Sequence, residues 1–193
     1  MLLKKILFAS LVYSALAFSQ NDHTMYSLTS EIGAGYSRYF TTLDYKDLNK
    51  NGFSGTLRIM WNPEHLLSVG LETGYQYLYS VDVSNYETDF GSTNFSASMY
   101  TVPIFIVFAM KITSNIKING GSGMYLLYSQ GEMFGDNLKS DQLSIGANVG
   151  ISYVYPINNS VALGGELLYS YISKTQDQTF ALQVLFVYKF LEW

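Results

Sequence analysis

The sequence of 193 residues contains no cysteine, three prolines and two histidines, and charged side chains make up 13% of it. Without cysteine, a disulfide framework, a zinc–thiolate site and a cysteine nucleophile are all excluded. A typical soluble domain carries about 25% charged residues, so this chain has roughly half the charge that usually covers a water-facing surface. The formal net charge of −4 argues against a nucleic-acid partner, which requires a basic patch.

The abundant residues indicate a folded chain with an unusual surface. Hydrophobic residues make up 48% of the sequence, which includes 17 tyrosines and 12 phenylalanines. So much apolar and aromatic material excludes intrinsic disorder, because the chain can bury enough surface to offset the entropy cost of folding. The length predicts one domain, and no apolar stretch beyond the N-terminal segment is long enough for a transmembrane helix.

Residues 1–19 have the form of a secretory signal peptide. Two lysines precede an apolar run over residues 6–16, and Ala17-Phe18-Ser19 matches a small-x-small cleavage site. The alternative is an N-terminal membrane anchor, but the apolar run is shorter than the roughly 20 residues that a helix needs to cross a bilayer. We therefore predict cleavage after Ser19, which leaves residues 20–193 as the exported domain.

Alternation of apolar and polar residues with a period of two runs through the mature chain from Ser27 and predicts eight β-strands. In residues 143–155, for example, Leu, Ile, Ala, Val and Tyr alternate with Ser, Gly and Asn. In the third segment the apolar face takes every second residue from Leu67 to Tyr79. In the fourth segment Pro103 marks an irregularity, and the apolar face is assigned to Tyr100, Val102, Ile104, Ile106 and Phe108.

The connections between these segments alternate in length. Tight turns are predicted at residues 62–65, 113–115 and 156–159, with longer polar stretches at about 41–52, 81–93, 129–141 and 173–178. This alternation is typical of an up-and-down barrel with one short rim and one projecting rim. The turn at 156–159 would set Asn148 nearly opposite Glu166 in the hairpin.

The composition of the two strand faces decides between a soluble and a membrane barrel. A soluble barrel such as a lipocalin also alternates, but its polar face meets bulk water and should be rich in Lys and Glu. Here the polar face consists mainly of Gly, Ser, Thr, Asn and Gln, while Tyr, Phe and Trp crowd the ends of the apolar face. We therefore predict an all-β, eight-stranded antiparallel up-and-down transmembrane barrel, with lipid outside and small polar residues in the lumen.

The last strand has apolar or aromatic residues at alternate positions, namely Phe186, Tyr188 and Phe190, whereas Trp193 falls outside this parity. This pattern resembles the C-terminal sorting signal of outer-membrane barrels. With residues 143–150 and 184–190, it makes the whole mature chain resemble the small eight-stranded OmpA-barrel and OmpX-like family of Gram-negative bacteria. The resemblance implies an outer-membrane location, periplasmic termini and tight turns, and extracellular long loops. It also implies contact with outer-membrane lipids and lipopolysaccharide, and with the barrel-assembly machinery through the C-terminal strand.

Several polar residues share the inward parity and lie at similar heights above the tight-turn rim. They are Glu31, Arg58, Glu72, Asn148, Glu166 and Gln183. We predict that they form a paired network that plugs the lumen, because buried polar groups are tolerated only when they are paired. Three carboxylates against one arginine leave an acid excess, so one glutamate is a candidate to hold a proton. The alternative is a narrow ion path through the same groups.

The remaining polar residues suggest no chemistry. The long stretches, which include Asp177, hold more acids than lysines and predict an acidic rim, either simply solvated or in divalent-cation contact with lipopolysaccharide. Some barrels of this kind are lipid A acyltransferases or deacylases, which need a histidine near a serine or acid. This chain has His23 in its N-terminal tail and His65 in a tight turn. We therefore expect no catalysis, cofactor or metal site, and a structural, adhesive or narrow porin-like role.

Overall fold

The computed structural model describes residues 26–42, 48–63, 67–88, 91–133 and 136–193. No helix in these ranges is long and apolar enough to cross a membrane. The described residues form nine β-strands: β1 (Ser27–Phe40), β2 (Leu48–Asn49), β3 (Asn51–Asn62), β4 (Leu67–Thr88), β5 (Gly91–Lys111), β6 (Ile116–Met133), β7 (Asp136–Pro156), β8 (Val161–Ile172) and β9 (Asp177–Glu192).

The eight long strands close into a ring. Their order is β4-β3-β1-β9-β8-β7-β6-β5, and a further ladder between β5 and β4 completes it. Every ladder is antiparallel, and the first and last strands of the chain pair with each other. The two-residue β2 adds to β4 near one rim. The predicted all-β, eight-stranded up-and-down barrel is thus confirmed.

The register shows that the strands are tilted. Stepping from partner to partner through all eight strands, a path that starts at Glu31 of β1 returns to β1 beside Phe40. Such an offset is what closing a sheet into a barrel requires. Closure lets residues on strands that do not pair, such as β3 and β8, face each other across the lumen, and the tilt decides which of them lie at the same height.

Along most of the barrel, side chains point into the lumen or outward as the alternation predicts. In β7, every second residue from Ser144 to Ser152 is buried while its neighbours are exposed. In β5, Ile104, Ile106 and Phe108 face outward, as predicted, and Pro103 is buried. The ladder from β4 to β5 passes from Ile104 to Thr101 without bridges at the two positions between them. This irregularity fits Pro103, which has no backbone N–H to donate.

Tyr79 departs from the predicted facing. The ladder of β4 with β5 shifts register between Tyr77 and Tyr79, and Leu78 is fully buried. Tyr79 packs against the interior cluster, with its ring 5.9 Å from that of Tyr39. A β-bulge places two consecutive residues against one partner, so the simple alternation fails beyond it.

Two of the four long polar stretches are strands rather than loops. Strand β4 continues to Thr88 and β5 begins at Gly91, while β6 continues to Met133 and β7 begins at Asp136. In β7 every residue from Asp136 to Leu143 is exposed, so both faces of this projecting hairpin meet water. Alternation disappears where both faces are solvated, although the ladder continues. The strands predicted from alternation are therefore shorter than the observed ones.

The hairpin register across the last tight turn also differs from the prediction. Asn148 pairs with Ser170, and Glu166 pairs with Ser152. The turn is formed by residues 157–160, later than predicted, because the side chain of Asn158 accepts hydrogen bonds from the backbone N–H groups of Ser160 and Val161 at 2.9 and 2.8 Å. Asparagine commonly organises a turn in this way, and here it moves the hairpin centre toward β8.

Large apolar side chains fill one side of the lumen. From β5, the side chains of Met99, Phe105, Val107 and Ala109 are buried in a cluster that continues onto neighbouring strands. The remaining members of the cluster are Tyr39, Met60, Leu78, Tyr125, Leu127 and Ile172. The lumen is therefore a packed interior with an apolar side, centred on β5, and a polar side.

Candidate functional site

The polar side of the lumen holds all six residues predicted to lie there. Each of them is buried, with at most 7% of its surface exposed. They come from six different strands and are Glu31, Arg58, Glu72, Asn148, Glu166 and Gln183. Their inward facing follows directly from the alternation, because each lies on the polar parity of its strand.

Arg58 stands at the centre of this polar side. Its Nε donates a hydrogen bond to Glu72, and its Nη1 donates one to Glu166 Oε1 at 2.7 Å. The same Nη1 lies 3.6 Å from Glu31 Oε2. Glu31 and Glu72 are the direct cross-strand partners of Arg58 on β1 and β4, whereas Glu166 reaches it across the lumen from β8. One guanidinium therefore ties together four of the eight strands.

Strand β6 contributes two residues that were not included in the predicted network. Lys117 Nζ donates a hydrogen bond to Glu31 Oε1, and Asn119 Nδ2 donates one to Glu166 Oε1 at 2.7 Å. Lys117 was recognisable from the sequence as a charge in a strand interior, and Asn119 shares its parity two residues later. With Lys117, three carboxylates face two cations instead of one.

The two asparagines each bind one glutamate. Asn148 Nδ2 donates a hydrogen bond to Glu72 Oε1, just as Asn119 Nδ2 donates one to Glu166 Oε1. Gln183 belongs to a second polar layer, since it accepts a hydrogen bond from Thr56 Oγ1 and donates one to Ser54 Oγ, both at 2.9 Å. In a further contact, Gln76 Nε2 donates to Thr179 Oγ1 at 2.7 Å. The Arg58 network, the Gln183 set and the Gln76–Thr179 pair thus occupy the polar side.

Inward-facing glycines make room for these side chains. A Cβ placed on Gly33 would lie 2.3 Å from Gln183 Oε1 and 2.4 Å from Thr56 Oγ1. A Cβ on Gly150 would lie 2.7 Å from Asn119 Oδ1. All three distances are far below van der Waals contact, so a side chain at Gly33 or Gly150 would displace the polar groups that form these hydrogen bonds.

Little free volume remains between the network and the apolar side. A central void of about 10 Å³ is bordered by Glu72, Tyr125 and Asn148, among others. A void of this size holds about one water molecule. On the tight-turn side, a cavity of about 460 Å³ lies below Glu31 and Lys117 and also contacts Lys111. Pockets of about 320 and 290 Å³ lie near the opposite, projecting rim.

One acid of the predicted acidic rim lies in a strand and not in a loop. Asp177, placed in a long polar stretch by the sequence pattern, is the first residue of β9 and is buried. Its carboxylate accepts a hydrogen bond from the hydroxyl of Tyr39. Of the other predicted features at the ends of the chain and in the turns, the signal peptide, His23 and His65 lie outside the described residues.

The outer surface carries aromatic clusters at both ends of the barrel. At the tight-turn end, the ring of Tyr26 stacks on Trp61 and Trp193 at 6.2 and 6.1 Å. At the other end, Phe180 packs against Phe40 and Tyr169 at 5.5 and 5.0 Å. Aromatic girdles separated by an apolar band are typical of a barrel in a bilayer.

The C-terminal strand presents its predicted sorting residues outward. Phe186, Tyr188 and Phe190 are each exposed on the barrel surface. The ladder between β1 and β9 skips Phe190 between the pairs Thr29–Lys189 and Leu28–Leu191, and this bulge accounts for the altered parity of Trp193. A role of these residues in sorting stays a prediction.

Comparison with known proteins agrees with this architecture. A sequence model of the family described as outer membrane protein beta-barrel domain matches residues 6–190. A search of curated proteins found no significant match. Neisserial surface protein A is 16% identical, with a TM-score of 0.51 over 86% of this chain and 99% of that chain.

Two further solved structures are similar in the same way. Ail, the attachment invasion locus protein of Yersinia pestis, crystallised with the heparin analogue sucrose octasulfate, is 15% identical with a TM-score of 0.52 over 85% of this chain and 99% of that chain. A major outer membrane protein from Thermus thermophilus is 14% identical with a TM-score of 0.54 over 86% of this chain and 99% of that chain. At these identities the similarity shows the fold.

The family match extends over nearly the whole chain and includes strands β1 to β8 and β9 as far as Phe190. Together with the apolar outer band and its aromatic girdles, it indicates a bacterial outer-membrane location. The chain belongs to the family of outer membrane protein β-barrel domains.

Proposed function

We propose that this protein is a non-catalytic outer-membrane barrel with a closed lumen, acting as a structural or adhesive component of the cell surface. The observation that supports this proposal best is the Arg58 network. Arg58 binds carboxylates from β1, β4 and β8, and each of the four side chains is at most 4% exposed. The hydrogen bond from Arg58 to Glu166 runs across the lumen and links β3 to β8, two strands that do not pair.

The energetics of buried charge favour a closed lumen over an ion path. A buried ion pair that loses one partner is destabilised by about 3–5 kcal/mol, so such a network resists opening. A conducting path would need a hydrated passage beside these groups. The central void of about 10 Å³ and the apolar cluster on β5 leave little room for one.

The shape of the two rims supports an orientation. Barrels of this class turn tightly on the periplasmic side and project on the extracellular side. We therefore propose that both termini and the short connections face the periplasm. The β4–β5 and β6–β7 hairpins would then extend from the cell surface, next to lipopolysaccharide and outer-membrane lipids. These hairpins are the part of the protein best placed for adhesion, and the C-terminal strand would engage the barrel-assembly machinery.

Planar-bilayer recordings test the closed lumen. The wild-type barrel should show no large, steady openings at neutral pH. Arg58→Ala, which removes the central cation, should show more frequent current events than Arg38→Ala, a matched control because Arg38 is exposed on the outside of β1. Large, steady openings of the wild type would refute the proposal and favour a narrow porin.

A further inference from the structure

Several buried atoms of the Arg58 network have no hydrogen-bond partner among the described residues. Four of them are acceptors as they stand, namely Glu31 Oε2, Glu166 Oε2, Asn119 Oδ1 and Asn148 Oδ1. Arg58 Nη2 is the one unpartnered donor that the described part of the network contains. Buried polar groups in folded proteins are nearly always hydrogen-bonded, so this surplus of acceptors requires an explanation.

The charge balance of the network points the same way. Glu31 and Lys117 form an ion pair beside the cavity at the tight-turn rim. Deeper inside, Arg58 is the partner of both Glu72 and Glu166, and all three side chains are at most 1% exposed. Two carboxylates against one guanidinium leave a net negative charge, and an uncompensated charge is very costly to bury inside a protein surrounded by lipid.

One position relieves two of the four unpartnered acceptors and the surplus of charge together. Asn119 Nδ2 donates to Glu166 Oε1, while Asn119 Oδ1 and Glu166 Oε2 are both unpartnered. An amide and a carboxylate can form one hydrogen bond in this arrangement, because the other two atoms are both acceptors. An amide and a carboxylic acid can form two, since the acid O–H donates to the amide oxygen.

We propose that the network binds one proton at neutral pH, carried on Glu166 Oε2 and donated in a hydrogen bond to Asn119 Oδ1. The proton makes the inner group of Arg58, Glu72 and Glu166 neutral. The proposal deepens the closed-lumen function and rests on it in one respect, since an open, hydrated lumen would not require a neutral network. The groups that surround Glu166 are Arg58 (β3), Glu72 (β4), Glu31 (β1), Lys117 and Asn119 (β6), with uncharged Ser152 (β7) and Gln183 (β9) beside it in the sheet.

Glu72 and Glu31 are less favourable sites for the proton. Glu72 already accepts a hydrogen bond on each oxygen, from Asn148 on Oε1 and from Arg58 on Oε2, so a proton there would displace a donor. Glu31 is compensated by two cations, since its Oε1 pairs with Lys117 and its Oε2 lies 3.6 Å from Arg58 Nη1. The central void is bordered by neither Glu166 nor Asn119, so water in that void would not serve their unpartnered atoms.

Infrared spectroscopy tests the proposal directly. The folded barrel, labelled with ¹³C-carboxyl glutamate, should show the C=O stretch of a protonated carboxyl group at neutral pH. Glu166→Gln should abolish this band, whereas Glu31→Gln, which changes another glutamate of the same network, should retain it. No band in the wild type, or a band that survives in Glu166→Gln, would overturn the proposal.

Two controls keep the test decisive. If Glu166→Gln does not fold, Asn119→Ala takes its place: loss of the acceptor should shift the wild-type band, and an unshifted band would count against the proton at Glu166. The recordings described above separate the two proposals. A barrel that conducts but keeps the band refutes only the closed lumen, and a closed barrel without the band refutes only the bound proton.

Discussion

Replacing Arg58 with alanine should destabilise the barrel more than any other single change in the lumen. Arg58 contacts Glu31, Glu72 and Glu166, and its own side chain is 1% exposed. After the replacement these carboxylates would face one another with Lys117 as the nearest cation. Removing one partner of a buried ion pair typically costs about 3–5 kcal/mol, and we expect a loss of unfolding free energy in that range.

Urea unfolding in lipid vesicles measures this loss, with folded protein scored by its shifted gel mobility before heating. Arg38→Ala is the control, since it removes the same charge from an exposed position and should change stability by less than about 0.5 kcal/mol. A triple variant, Arg58→Met with Glu72→Gln and Glu166→Gln, should recover most of the loss because it leaves no buried charge between these positions. A loss below about 1 kcal/mol for Arg58→Ala would refute the paired, closed network.

Three further predictions concern packing, sorting and catalysis. Gly33→Ala should lower the unfolding free energy by about 1–3 kcal/mol, because its Cβ would overlap Gln183 and Thr56, whereas outward Gly55→Ala, with its nearest contact at 3.5 Å, should have little effect in the same assay. Phe190→Ala should reduce the amount of barrel in outer-membrane fractions, and unchanged assembly would remove Phe190 from the sorting signal. His65→Ala should leave the acylation of lipid A unchanged, and loss of an acyl modification would identify the protein as a lipid-modifying enzyme.

The barrel could be predicted from the sequence because one physical pattern repeats along it. Each strand passes through the same apolar band, so residues such as Ile145 and Val184 must alternate with small or polar neighbours, and the period of two appears eight times. The pattern fails where its cause is missing. From Asp136 to Leu143 both faces of β7 meet water, and at Leu78 and Phe190 bulges change the parity.

The sequence predicts which residues belong to the network better than it predicts which of them contact each other. Parity alone brings Arg58 and its glutamates to the inner face. The contact between Arg58 and Glu166, however, depends on the tilt of the strands, which follows from the register of all eight ladders. The turn at Asn158 shifted one of those registers relative to the prediction. Asn119 was missed for a different reason, because a single amide in a glycine-rich strand resembles any other small polar filler.

The low charge content follows from the way this barrel divides its surface. A soluble barrel of the same size would need charges on the outside and apolar residues inside, whereas here Ile145 and Val184 are more than two-thirds exposed while Arg58 is 1% exposed. Charges inside a lipid-surrounded lumen are tolerated only in pairs, which limits their number and requires each to have a specific partner. If Glu166 is neutral, the inner group keeps one guanidinium and one carboxylate, the smallest charged set that still joins opposite walls of the barrel. Adding a further unpaired acid to the inner face should therefore be far more costly than adding one to the projecting hairpins.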